Sequence, residues 1–287
     1  MVVILGAIIV FASVLGGFTM AGGNVASLLH VSEFIVIGGA ALGAMVIMAP
    51  KSVLIGIFKQ MLGTLKGAPY NRKAYQDLLM VLYELFMLGK KGGMIALEEH
   101  IQNPEGSEII SKYPDFLKNK EAVAFLCDGL RPVVDGQVKA DQLSTLLNVE
   151  LNKKVEEDHE PVDVLTKVSD AMPGFGIVAA VLGIVITMGA ISGPIEEIGH
   201  KVGTALVGTF LGIFIAYGFL NPLATNMNFI NHSAMDYLKC ISASLVGYSG
   251  GMAPATAIEI ARRGLGHEVR PSSQELEEMI KKAKNAS

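Results

Sequence analysis

The feature that most constrains this chain is a long apolar stretch over residues 171–223, interrupted once by a short charged segment. No Asp, Glu, Lys or Arg occurs in residues 171–195 or in residues 202–235. Each apolar arm reaches the roughly 20 residues that an α-helix needs to cross the hydrocarbon core of a bilayer. The stretch therefore predicts a transmembrane hairpin with its bend at residues 196–201.

Small residues recur at helical spacing on both arms of this hairpin. They are Gly176, Ala180, Gly183 and Thr187 on the first arm, and Gly208, Gly212 and Ala216 on the second. In lipid, small residues at this spacing allow helix backbones to approach closely. Two interpretations are open at this point: ordinary packing within the bundle, or another helix that runs against the stripe.

Two prolines lie near the ends of the hairpin, Pro173 on the first arm and Pro222 on the second. Counted from the predicted bend, the prolines share one membrane depth and Thr187 and Thr209 share another. A proline leaves the carbonyl four residues earlier without its usual N–H partner. Such a carbonyl is tolerated at membrane depth only where protein or water satisfies it. Matched prolines and threonines favour a hydrated, bendable end to a polar pathway, with two incidental kinks as the alternative.

Composition and two further apolar segments predict an all-α polytopic membrane protein with four transmembrane helices. The chain is 51% hydrophobic and only 17% charged, which is typical of a membrane protein. Residues 1–23 carry no charge and have no basic region before them, so we interpret them as a retained helix and not as a signal peptide. Phe34 to Pro50 is the second span. The net charge of −4 gives no argument for nucleic acid.

The distribution of basic residues predicts the topology. Of the 23 Lys and Arg residues, 15 lie in residues 51–170 and 7 follow Leu223. Positive residues concentrate on the cytoplasmic side, so both termini are expected in the cytoplasm. The predicted segments are an N-terminal hairpin (1–50), a cytoplasmic helical domain (51–170), the second hairpin (171–223) and a cytoplasmic tail (224–287).

The polar segments predict further helices. Apolar residues follow helical spacing from Ala74 to Leu88, and Glu121 to Leu126 and Ala140 to Val155 are expected to be helical as well. After the second hairpin, a short helix is expected from Pro254 to Arg263. The residues Ser272 to Glu275 have the pattern of a capping box at the start of a last, solvated helix.

The sequence shows no motif of an enzyme or of a cofactor site. It contains no phosphate-binding glycine loop, no HExxH, no CxxC pair and no GxSxG, and its six histidines are dispersed. We therefore expect no catalysis, no cofactor and no metal, and we expect Cys127 and Cys240 to be free thiols. The nearest acidic residue to a span interior is Glu33, at the outer edge of the second span. An ion path would then need a carboxylate from another chain, and a scaffold without conduction is the competing inference.

Several strings resemble the MotA family of bacterial flagellar motor stator subunits. They are GGMIALEEHIQNPEGSEII (92–110), MPGFGIVAAVLGIV (172–185), VGTFLGIFIAYGFLNPLA (207–224) and RPSSQELEE (270–278). The resemblance covers nearly the whole chain, including the four spans. The energising subunits of the Tol and Ton systems are more distant cousins that share only the second hairpin.

The resemblance implies a membrane machine in which five such subunits surround two MotB-type partners. The partners supply an intramembrane aspartate, and ion flow makes the ring push the rotor protein FliG. The family's two functional prolines match Pro173 and Pro222, and its channel-facing threonine matches Thr209. The ion path is thus expected to comprise Pro173, Ala180, Thr187, Thr209, Tyr217 and Pro222. The expected rotor contacts are Lys90, with Lys91 as the neighbouring register, and Glu98. A solvated charged loop is the alternative at these three residues and at Glu99.

The expected function is a stator subunit, in the bacterial inner membrane, that uses protons to turn the flagellar motor and serves motility and chemotaxis. Sodium-driven relatives usually have a threonine where this chain has Ala180, whose side chain offers no oxygen to a sodium ion. An energising subunit of a Tol/Ton-like complex is the alternative. A small-solute transporter is disfavoured, because the four spans offer no charged site at the midplane.

Overall fold

The computed structural model describes residues 2–67, 69–189 and 191–286, and its regular elements in this part of the chain are all helical. This confirms the all-α prediction. The α-helices are α1 (Val2–Met20), α2 (Val31–Met48), α3 (Lys51–Lys66), α4 (Arg72–Gly92), α5 (Glu98–Gln102), α6 (Pro114–Lys118), α7 (Lys120–Val134), α8 (Ala140–Met188), α9 (Ile195–Ile215), α10 (Asn221–Ser249), α11 (Pro254–Arg263) and α12 (Ser273–Ala286). Short 3₁₀ turns cover Val25–Leu28, Met94–Leu97, Pro104–Gly106 and Ile110–Lys112, and a π-helical segment covers Ala216–Leu220.

Four helical segments of the described chain are long and apolar enough to cross a membrane, as the composition predicted. They are Val2–Met20, Val25–Met48, Ala140–Met188 and Ile195–Ser249. The two later segments are much longer than a bilayer is thick, at 49 and 55 residues. The helix expected at 140–155 and the third span are therefore one continuous helix, α8. The fourth span likewise continues through the π segment into α10.

The bend of the second hairpin lies between Met188 and Ile195, not at residues 196–201 as the charges suggested. The charged residues form the first turns of α9. Glu196 and Glu197 are in its first turn, where acidic side chains interact favourably with the helix dipole. Lys201 then pairs with Glu197 at 2.8 Å. The prediction of the bend was wrong because these charges stabilise a helix end and do not interrupt the helix.

The described chain divides into two compact units, residues 1–67 with 157–231 and residues 68–156 with 232–287. These boundaries differ from the predicted segment boundaries, because α8 and α10 continue without a break past the points where the composition changes. The membrane segments themselves stay a prediction.

The first unit contains α1 to α3, the later part of α8, α9, the π segment and the start of α10. Its core is a set of apolar residues that include Ile37, Ala41, Met45, Val53, Ile57, Leu165, Val168, Met172, Val207 and Leu211. Helix α1 has no buried residue. It contacts the unit through Phe11, whose ring lies 5.5 Å from that of Phe214 and 4.7 Å from that of Phe219.

The second unit is built around α4, which has the apolar face predicted from its periodicity. Its fully buried residues include Leu78, Leu79, Leu82, Leu85, Phe86, Leu97, Leu126, Leu130 and Ile258. The predicted capping box is present: Glu275 N donates to Ser272 Oγ at 3.1 Å, and Ser272 N donates to Glu275 Oε2 at 2.6 Å. Helix α12 is not fully solvated, since Leu276 is buried in the core. Helix α11 has the predicted bounds, Pro254–Arg263.

Candidate functional site

The two helices of the second hairpin contact each other backbone to backbone through their small residues. A Cβ atom on Gly176 would lie 2.8 Å from the carbonyl oxygen of Gly208 and 3.3 Å from Cα of Gly212. A Cβ on Gly212 would lie 2.7 Å from the carbonyl oxygen of Met172. The space beside these glycines is thus occupied by the chain's own α8 and α9. Of the two interpretations left open, packing within the bundle accounts for them.

These contacts also fix the relative depth of the two threonines. Gly176 lies opposite Gly208 to Gly212, and a Cβ on Gly183 would lie 2.7 Å from Cβ of Ala205. Thr187 lies four residues from Gly183 toward the bend, and Thr209 lies four residues from Ala205 away from it. Thr187 is therefore closer to the bend than Thr209 by about 12 Å at roughly 1.5 Å per residue. The prediction of a shared depth was wrong because it counted from a bend placed too late in the chain.

The prolines also lie at different depths, on either side of one hydrogen bond between the helices. Ser169 Oγ donates to the carbonyl oxygen of Ala216 at 3.1 Å, and both residues are fully buried. Pro173 lies one turn beyond Ser169 toward the bend, whereas Pro222 lies beyond Ala216 in the opposite direction. The two rings are thus separated by about 15 Å along the axis.

The π-helical segment Ala216–Leu220 ends two residues before Pro222. The Asn221 N–H donates to the carbonyl oxygen of Ala216, the i to i+5 bond of a π-helix. Single π turns often occur at functional sites and at helix kinks. The carbonyl of Ala216 therefore accepts from its own helix and from Ser169 on α8. Sequence reasoning missed the bond from the Ser169 hydroxyl, because a hydroxyl within a helix usually bonds to its own backbone.

The predicted ion-path residues range from buried to exposed in the single chain. Thr187 is only 5% exposed, and its Oγ1 donates to the carbonyl of Gly183 at 2.8 Å. Pro173, Ala180 and Thr209 are half-buried, and Pro222 is exposed. Tyr217 is 59% exposed, within the π segment. The structure thus places most of these residues along α8, α9 and the π segment with at least part of their surface uncovered.

The predicted rotor-contact residues lie on the surface of the second unit. Lys90 and Lys91 are exposed in the last turn of α4, where cations favour the helix dipole. Glu98 is exposed at the start of α5, and Gln102 Nε2 donates to it at 2.9 Å. The turn that joins the two helices packs closely, since a Cβ on Gly89 would meet Tyr248 and Leu97. The packed turn therefore fixes the end of α4, which carries Lys90 and Lys91, relative to the start of α5, which carries Glu98.

Glu33 lies in the first turn of α2, at the edge of the second span where the sequence placed it. Its burial was not predicted: the residue is only 6% exposed. Its Oε2 faces Gly208 on α9. The signal in the sequence was its spacing from Ile37 and Ala41, because all three residues fall on the buried face of α2.

The described residues contain no group of three or more His, Cys, Asp or Glu side chains that could hold a metal ion. Cys127 and Cys240 are buried and free. Burial raises the pKa of the Cys127 thiol to about 11.

Two family descriptions match the sequence. "Motility protein A N-terminal" matches residues 4–93, and "MotA/TolQ/ExbB proton channel family" matches residues 118–238. Together they cover both hairpins and most of the intervening segment.

Characterised relatives match over nearly their full length. Motility protein A of Salmonella typhimurium and that of Escherichia coli are each 35% identical over 285 residues, which is 99% of this chain and 97% of the relative. Chemotaxis protein LafT of Vibrio parahaemolyticus is 35% identical over 276 residues, covering 96% of this chain and 97% of the relative.

Solved structures share the fold. A chain of the MotAB structure of C. jejuni superimposes with a TM-score of 0.77 at 22% identity, covering 94% of this chain and 98% of that one. The flagellar MotAB stator complex of Bacillus subtilis gives a TM-score of 0.75 at 20% identity, covering 96% and 97%.

Proposed function

Because this chain belongs to the motility protein A family, as its motifs predicted, we propose that it is the stator subunit that conducts protons and drives flagellar rotation. The observation that carries the proposal is the 35% identity to Motility protein A over 99% of the chain. The family is one of membrane proton-channel subunits and not of enzymes. Accordingly, the chain's own contribution is mechanical and conductive, without catalysis.

The ion path is completed by a partner helix. In the described part of the second hairpin, no Asp or Glu lies in the apolar arms. Ion conduction across a bilayer normally uses an ionisable side chain within the membrane. A MotB-type single-span partner would supply this carboxylate as an aspartate, and five copies of the chain would surround it. The surfaces left uncovered at Thr209, Tyr217 and Pro222 support a path shared between chains.

The contact with the rotor lies at the exposed charges that end α4 and begin α5. Lys90 and Glu98 have opposite charges and are held by a packed turn, which suits an electrostatic contact with a charged protein such as FliG. Both side chains project from helix ends and are exposed, so each is free to meet a partner.

The orientation follows from the basic residues, with both termini and residues 51–170 on the cytoplasmic side of the inner membrane. A test introduces single cysteines at Asn24 and at Lys118 in a background without the native ones. An impermeant maleimide added outside is expected to label the cysteine at Asn24 only. Labelling at Lys118 alone would reverse the orientation.

A Tol/Ton-like energising subunit is the alternative function, and the match of the N-terminal motility domain to residues 4–93 weighs against it. The deciding experiment deletes the gene in its own host and restores it on a plasmid. Loss and recovery of swimming without a change in outer-membrane integrity supports the stator. Normal swimming with leaky envelopes would refute it.

A further inference from the structure

Glu33 lies inside the helical bundle and one of its oxygens is unsatisfied. Among the side chains that the structure describes, its Oε2 is the buried oxygen without a hydrogen-bond partner. A buried carboxylate oxygen without a partner is costly, and the cost is lowered when the carboxyl group takes up a proton and becomes neutral. Ionisable residues in a membrane span are expensive and usually have a function.

Helix α9 runs beside Oε2 at the level of Gly208. A Cβ on Gly208 would lie 2.7 Å from Oε2, so α9 passes directly against the carboxyl group. The same Cβ position lies 3.0 Å from Cβ of Ala179 and 3.3 Å from N of Ala180. The absence of a side chain at Gly208 therefore leaves the space that the Glu33 carboxyl group occupies between α9 and α8.

A row of polar groups lies between the level of Gly208, which faces Glu33, and the exposed start of α9. Gly208, Thr204 and His200 are four residues apart and therefore lie on one face of this helix. Thr204 Oγ1 lies 3.4 Å from His30 Nε2 and donates to the carbonyl of His200 at 3.1 Å. The rings of His30 and His200 are 6.0 Å apart. Exposure falls along the row, from exposed His200 through half-buried His30 and Thr204 to buried Glu33.

We propose that Glu33 is a proton-binding site of the second span, loaded from the bend of the second hairpin through His200, Thr204 and His30. Histidine exchanges protons in the physiological pH range, which suits its place between solvent and a buried carboxyl group. The proposal rests on the proposed function for its role, because the site lies behind Ala180 and Thr209 on the expected ion path. It requires a proton path along α9 and the start of α2 that is separate from the carboxylate of the partner helix.

Apart from His30, the ionisable groups nearest to this site lie toward the start of α9. On α9, Glu196 and Glu197 lie beyond His200, and Lys201 is paired with Glu197 at 2.8 Å. On α8, the facing residues Ala179 and Ala180 are uncharged. On α2 itself, His30 is the neighbouring ionisable group, one turn from Glu33.

The test uses the full chain together with its single-span partner in lipid, with Glu33→Gln as the main variant. Infrared difference spectra between acidic and alkaline buffer should show a protonated-carboxyl signal that Glu33→Gln removes. Transfer to D₂O should shift that signal, and His200→Gln, a change at an exposed position, should slow the shift. Ser32→Ala, beside Glu33 on the exposed face of α2, is the matched control and should leave both unchanged.

The outcomes separate this proposal from the stator function. A signal unchanged in Glu33→Gln, or an exchange rate unchanged in His200→Gln, would overturn the site. Failure of Glu33→Gln to assemble, while Glu33→Asp assembles without any titrating signal of its own, would also overturn it and leave a structural carboxyl group. If the signal is lost in Glu33→Gln but swimming depends on neither residue, the proton site stands and its role in the motor fails.

Discussion

The backbone contact between α8 and α9 can be tested with two glycines of the same helix, Gly176 and Gly174. Each change to alanine gains the same helix propensity, up to about 1 kcal/mol. A Cβ on Gly174 meets nothing within 4 Å, whereas a Cβ on Gly176 would lie 2.8 Å from the carbonyl oxygen of Gly208 and 3.2 Å from Cα of Thr209. Ordinary contact needs about 3.5 Å or more, so the helices would have to separate by roughly 0.7 Å. Overpacking of this kind costs about 1–3 kcal/mol.

The free energies of unfolding of Gly176→Ala and Gly174→Ala should therefore differ by about 1–3 kcal/mol, with Gly176→Ala the less stable. Propensity cancels in this difference, because the two residues share a helix. The measurement is equilibrium unfolding of the purified chain in mixed micelles, followed by circular dichroism. Equal stability of the two variants would refute the close approach, since no side chain can rotate to relieve a clash with backbone atoms.

Three further predictions concern the charged surface, the ion and the effect of pH. Lys90→Glu should reduce swimming at normal membrane levels, and a compensating charge reversal on the rotor should restore part of it; full function of Lys90→Glu with Glu98→Lys and an unchanged rotor would argue against the contact. Tethered cells should keep rotating when sodium is removed and the proton gradient is kept, and rotation that returns only with added sodium would contradict the proton assignment. The Arg262 guanidinium, followed by that of Arg263, holds the pKa of Glu259 down to about 2. Glu259→Gln should therefore lower the melting temperature at neutral pH, and the difference from wild type should fade as pH drops from about 4.5 toward 2; a constant difference over that range would exclude the ion pair as its cause.

The sequence predicted those elements whose local signals agree with their environment. Helix α11 starts at Pro254 and ends before Gly264, and the capping box at Ser272 is formed, because these signals act through the nearest backbone groups. The four spans followed from their apolar length alone. The family and stator function followed from strings that are specific over the whole chain.

The errors share one physical cause, which is that charge does not mark the end of a helix. Glu196 to Lys201 form an ion-paired helix start, so the bend lies earlier and the paired depths of the prolines and threonines were wrong. Glu33 lies at the edge of the second span as predicted, but its burial against Gly208 on α9 was not predicted. The register of two packed helices depends on tertiary contacts, and local sequence patterns do not determine it.

The hydrogen bond from Ser169 to Ala216 links α8 to the π segment, and its removal gives the last prediction. The carbonyl of Ala216 keeps the Asn221 N–H when Ser169 becomes alanine, so no buried acceptor is left unpaired. The loss should then be that of one neutral hydrogen bond, about 0.5–1.5 kcal/mol. Thr166→Ala is the matched control, because Thr166 Oγ1 donates within its own helix to Val162 at 2.8 Å.

Loss of the hydrogen bond from Ser169 should make local opening of the π segment more frequent. Amide hydrogen exchange at residues 216–221 should accelerate by about two- to tenfold in Ser169→Ala, the equivalent of the lost bond. The same amides should keep their wild-type rates in Thr166→Ala. If the two variants exchange alike in this segment, Ser169 does not hold it. If instead Ser169→Ala opens the segment and slows rotation at normal stator levels, the bond couples the turn before Pro222 to the helix that carries Pro173.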